Sequence, residues 1–202
     1  MDDTEELFRS PAGLFDQTYI AIGTLIHMFA IVESSIFSVF RSYVGIPDDV
    51  TRAILGEARL GDTIAAFKRV ATVRGMDAPS KTLVDDLFAR TLALKKYRDC
   101  VAHRSFHLNM DYSPFLVVFS LHPTAKSTKG GLEVRYTVDE IDICTREARN
   151  LSAQIFELAT WLRGHPLEAS FDQSALDALQ RLALPETPIL PTSPDQQIQT
   201  NK

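Results

Sequence analysis

The stretch Lys95-Lys96-Tyr97-Arg98-Asp99-Cys100-Val101-Ala102-His103-Arg104-Ser105-Phe106 sets a run of cations and an imidazole into what otherwise patterns as a core helix. Leu83, Leu87, Thr91, Leu94, Arg98 and Val101 recur at steps of three or four, with Phe88, Leu92 and Phe106 as a second apolar row beside them. This spacing predicts a long helix capped by Ser80, with the quoted stretch as its C-terminal half. Arg98 falls on the apolar row, so it is expected to be partly buried, where a permanent charge needs an acidic partner or a phosphate.

Toward the N-terminus, Phe15, Tyr19, Ile22, Ile26, Phe29, Ile36, Phe40 and Val44 share one stripe after Ser10-Pro11, a serine cap followed by a proline at the first helical position. Gly45 and Pro47 end that helix. Glu33 stands in line with the stripe, four residues after Phe29, and is the acidic partner expected for Arg98; the plainer alternative is a carboxylate that reaches water at the stripe's edge. Shorter helices are expected over Pro47–Leu55, stopped by Gly56, and over Leu60–Arg74, followed by Gly75.

Beyond Asn109 the pattern turns to branched and aromatic residues, Phe115 to Leu121 and Leu132 to Val138, around a polar turn from Lys126 to Gly131. That reads as a β-hairpin. Thr137 and Glu140 have capping-box spacing and open a last long helix through Ile141, Ala148, Leu151, Ile155, Leu158 and Leu162, closed by Gly164 and Pro166. A short helix over Ser174–Leu184 precedes Pro185, Pro188, Pro191 and Pro194 and a glutamine-rich end, a composition expected of a flexible tail. The expected fold is mainly α: one domain over residues 1–164, a helical bundle with a small β-hairpin (115–138) inserted before its last long helix, then the segment 165–202.

The composition, 45% apolar and 23% charged, is that of a globular chain, and a net charge of −5 argues against coating nucleic acid through bulk positive potential. The local balance is opposite. Between Arg90 and His107 the cations Arg90, Lys95, Lys96, Arg98 and Arg104 face Asp99 alone. Cys100 and Cys144 lie far apart with no zinc-like or disulfide spacing, the N-terminus is acidic, and Glu33 and Arg41 interrupt the longest apolar run. A soluble, cytoplasmic protein with no membrane span is expected.

On a helix, Asp99 and His103 share a face at four-residue spacing, and Arg98 projects about 140° from His103. Asp99 is then placed to orient the imidazole. An imidazole near neutral pKa can accept the proton of a ribose 2′-hydroxyl, and a guanidinium can stabilise the charge that builds on phosphorus. The sequence holds no His-Glu-x-x-His, paired cysteines, carboxylate cluster, P-loop or dinucleotide fingerprint, so neither a metal nor an organic cofactor is expected. Without further information, a structural Arg98–Glu33 ion pair and a histidine in a core or dimer interface account for the same residues. Cys100 has only the geometry of an ordinary helix neighbour of His103.

Arg98-Asp99-Cys100-Val101-Ala102-His103, near the end of a long helix that follows a separate long helix with an inward Glu, resembles the HEPN superfamily, helical bundles marked by Arg-x4–6-His. The resemblance covers about residues 15 to 163, with Asp99 where Asn is commoner. It implies metal-independent endoribonuclease activity in a homodimer whose two motifs share one cleft. His103 would be general base, Arg98 would stabilise the phosphorane, Asp99 would set the imidazole and Glu33 would support Arg98. Lys95, Lys96 and Arg104 would line the approach for RNA. The alternatives are a non-catalytic dimeric module that binds RNA or a nucleotide, and a toxin or defence component governed by an antitoxin or another regulatory protein.

Overall fold

The computed structural model describes residues 11–55, 58–109, 116–121 and 132–164, with 172–174, 177 and 190–194 beyond them. The chain is mainly α. Its described helices are α1 (Pro11–Val44), α2 (Asp48–Leu55), α3 (Leu60–Val73), α4 (Ala78–His103) and α5 (Val138–Gly164). Between α4 and α5 run β1 (Ser105–Asn109), β2 (Leu116–Leu121) and β3 (Leu132–Thr137). Ser10, Gly56, Phe115, the Lys126–Gly131 turn, Pro166 and most of the Ser174–Leu184 helix lie outside the described residues.

The helix ends follow local chemistry. Gly45 and Gly75 both take φ 71°, the left-handed cap that glycine adopts without Cβ strain. At the second, Met76 N–H donates to Ala71 C=O at 3.0 Å and Gly75 N–H to Thr72 C=O at 3.2 Å, the paired bonds of a Schellman ending. α5 opens on the expected capping box: Glu140 accepts from Thr137 N–H at 2.7 Å, and Glu140 N–H donates to Thr137 Oγ1 at 3.1 Å. α4 departs from expectation. Asp77 Oδ1 accepts from Ser80 N–H at 2.8 Å, so Asp77 is the cap and Ser80 is buried inside the first turn.

The hairpin expected over 115–138 is two strands of a three-stranded antiparallel sheet, order β1-β2-β3. β1 begins two residues after α4, with Phe106 opposite Phe119 and Leu108 opposite Val117. Phe106 therefore belongs to a strand and not to the helical row. Ser105, His107 and Asn109 alternate with Phe106 and Leu108, the period-two pattern of a strand. Val117, Val118 and Phe119 of the central strand are all buried, so that strand is covered on both faces. β3 alternates instead, with Val134 and Tyr136 buried between half-exposed Glu133 and exposed Arg135.

By packing, the chain divides into two compact units, each assembled from separate segments. One comprises residues 1–29, 93–147 and 188–202: the first half of α1, the end of α4, the sheet, the start of α5 and part of the C-terminal segment. Its core joins Phe106 to Phe119 and Phe119 to Tyr136, ring centroids 5.8 and 6.3 Å apart. The other comprises residues 30–92 and 148–187, all helical where it is described as regular structure. Tyr43 stacks on Phe67 at 4.7 Å, Phe88 meets Phe67 edge-on at 5.2 Å, and Arg90 Nη1 donates to Gln154 Oε1 at 3.0 Å.

The C-terminal segment is packed in part. Tyr97 Oη donates to the Pro191 carbonyl, Tyr136 Oη donates to the Thr192 carbonyl at 3.3 Å, and Pro194 is buried. The flexible tail expected from composition thus includes a docked stretch. Its backbone acceptors pair with donors distant in sequence.

Candidate functional site

The last three turns of α4 have an apolar side and a charged side. Leu94, Tyr97, Cys100 and Val101 are buried, at three- and four-residue steps. Around the remaining arc Arg98, Lys95 and Asp99 are half-buried, and Lys96 and His103 are exposed. His103 is the final helical residue, where a protonated imidazole would meet the negative end of the helix dipole.

Asp99 organises this charged arc. Its Oδ2 accepts from Lys95 Nζ and its Oδ1 pairs with Arg98 Nη1 at 2.9 Å. The carboxylate is taken up by these two permanent cations, and hydrogen bonds between two charged groups are the strong ones. Arg98 also lies over the ring of the fully buried Phe29, its guanidinium carbon 4.9 Å from the centroid. A cation over an aromatic face contributes about 0.5–2 kcal/mol, increasing as the pair is desolvated. The Arg98 side chain is 18% exposed, so it is largely but not wholly withdrawn from water.

Of the residues expected at the site, Lys95, Arg98 and Asp99 are brought together. His103 stands at the end of the same helix, and Lys96 lies on its exposed side. Arg104 turns inward, its Nη1 3.5 Å from Cys100 Sγ. Glu33 sits half-buried on α1 within the other compact unit. His107 is exposed on β1. Burial pushes the Cys100 thiol up against a smaller downward pull from Arg104, the reverse of what a thiolate nucleophile needs. Among the described residues, no three His, Cys, Asp or Glu side chains come together as metal ligands.

Sequence reasoning missed the Phe29 platform, although Phe29 lies on the same stripe as Glu33 and was legible as an inward aromatic. It also missed an apolar patch close to the end of α4. Phe15, Tyr19 and Ile20 on α1 are 41%, 61% and 67% exposed, and Tyr19 meets Phe106 edge-on at 5.2 Å, three residues beyond His103. Among the described helices, only the Gly13–Val44 stretch of α1 is long and apolar enough to cross a membrane, and 33% of its most apolar part is buried.

No family model matches the chain, and neither does any curated protein or solved structure.

Proposed function

We propose that the protein is a metal-independent endoribonuclease of the HEPN type, working as a homodimer in the cytoplasm. The supporting observation is the charged arc of α4, where an exposed His103 ends the helix and Arg98, braced by Phe29 and Asp99, stays partly exposed. In this reading His103 takes the proton of a ribose 2′-hydroxyl, the oxygen attacks the adjacent phosphorus, and Arg98 offsets the charge gained there. The 5′-oxygen leaves with a proton, giving a 2′,3′-cyclic phosphate. Lys95 and Lys96 supply positive potential for the RNA backbone. The second copy covers the patch of Phe15, Tyr19 and Ile20, an apolar surface that a partner would bury with gain.

The test is to incubate the purified chain with single-stranded RNA in EDTA and analyse the ends. Cleavage with 2′,3′-cyclic phosphate termini is expected; no cleavage, or 3′-hydroxyl products, overturns the reading.

A second reading, a dimeric module that binds RNA or a nucleotide without cutting it, is favoured by the full engagement of Asp99 with Lys95 and Arg98, which makes Arg98 a structural cation. Saturable RNA binding without cleavage would select it. Control by an antitoxin or another regulatory protein is compatible with either reading.

A further inference from the structure

Pro185, Pro188, Pro191 and Pro194 recur at every third position, in Pro-Glu-Thr-Pro-Ile-Leu-Pro-Thr-Ser-Pro. A polyproline II strand repeats every three residues and makes no internal hydrogen bonds, so in that conformation prolines at this spacing would share one edge and the carbonyls would be free to accept. Leu190–Ser193 is neither helix nor strand, and two of its carbonyls are taken by side-chain donors, Tyr97 Oη to Pro191 and Tyr136 Oη to Thr192. The two tyrosine rings lie with centroids 5.8 Å apart at 50°, one from α4 and one from β3. Aromatic walls with hydroxyl donors aimed at backbone carbonyls are how grooves recognise proline-rich peptides.

We propose that Tyr97 and Tyr136 form a docking groove for a proline-repeat peptide, and that the chain occupies it with its own residues 190–194 as a releasable latch. Both tyrosines are almost fully buried, at 4% and 1% exposure, so a departing tail strands two hydroxyls that only a similar acceptor strand satisfies again. Burial holds both phenols above their ordinary range, Tyr97 up to about 12, which keeps them hydrogen-bond donors at any physiological pH. Residues 165–189 join the latch to α5 in sequence, and a segment tethered in this way has an effective concentration at its site on the order of 1 mM. For a peptide Kd of about 0.1 mM the latch is then closed about ten times more often than open. Tyr97 immediately precedes Arg98, so the docked tail braces the turn that presents the charged arc. The latch does not depend on RNA cleavage.

The experiment uses the full chain and a fluorescently labelled peptide of residues 185–197, followed by anisotropy. Opening the latch with Pro188→Gly, Pro191→Gly and Pro194→Gly together is expected to tighten peptide binding about tenfold over the unaltered chain. Adding Tyr97→Phe and Tyr136→Phe, which keeps the rings and removes the donors, should cancel at least fivefold of that gain. Equal binding by the opened and unaltered chains, or full affinity in the Phe pair, overturns the proposal. Backbone ¹⁵N relaxation gives an independent reading: Leu190, Thr192 and Ser193 should have order parameters near 0.8 in the unaltered chain and below about 0.6 in the Phe pair. A tail already mobile in the unaltered chain also overturns it.

Discussion

Leu94 and Lys95 are neighbours in sequence and opposites in structure. Leu94 is fully buried on the apolar side of α4, whereas Lys95 lies on the charged side, paired with Asp99. On the inner side, Tyr97 and Cys100 are held neutral by burial and closed over by the sheet and the docked tail. On the outer side, charges pair with one another and His103 stays open. One helix thus separates what stabilises the fold from what is available to act. Substitutions on the two sides should differ in kind as well as size.

The largest effect is expected from Leu94→Ala, which leaves a cavity where no side-chain surface was exposed and should cost about 2–5 kcal/mol in denaturant unfolding. A cost below about 1 kcal/mol would mean that the inner side is not close-packed.

Alkaline pH probes the same side through Cys144, whose thiol burial and the nearby Glu140 and Glu147 push from 9.0 up to about 12. Below about pH 9 both states keep the proton and the contribution is intact. As pH rises from there toward 12, the unfolded chain loses the proton first, so stability falls, by up to about 1.4 kcal/mol per pH unit. Urea midpoints measured across this range should fall, and Cys144→Ala should flatten the slope by about one proton.

Arg98 stands at the seam between the sides. Replacing it with Ala removes the contact with Phe29 and the pair with Asp99, and should cost about 1–2 kcal/mol by thermal or denaturant unfolding. Lys95→Ala should cost no more than about 0.5 kcal/mol, because an i,i+4 pair with both side chains about a third exposed is screened by water. A larger loss at Lys95 than at Arg98 would reverse the proposed seam.

The features that local chemistry specifies were readable from the sequence. Gly45, Gly75 and the Thr137–Glu140 box mark helix ends because each acts within a few residues. The mainly helical class and the two strands β2 and β3 followed from hydrophobic period alone, whereas β1 did not. What escaped depends on distant partners. Phe106 fits a helical row and a strand equally well, and only its position opposite Phe119 on β2 decides between them. The proline spacing was visible, but Tyr97 and Tyr136, which take up the tail's carbonyls, lie 94 and 56 residues from their acceptors. At the candidate site, the partial burial of Arg98 followed from its row, and Asp99 and His103 both lie on α4 four residues apart. The direction of the Asp99 carboxylate was not predictable from that spacing, since Lys95 and Arg98 both lie within its reach and take up its two oxygens.

The most direct test of the division along α4 is to measure RNA cleavage in EDTA and melting temperature side by side for His103→Ala. An exposed helix-terminal imidazole contributes little to packing, whereas a general base contributes about 10²–10⁴ in rate. The expected result is a loss of at least 100-fold in cleavage with the melting temperature within about 2 °C of the unaltered chain. Undiminished cleavage by His103→Ala would contradict the account.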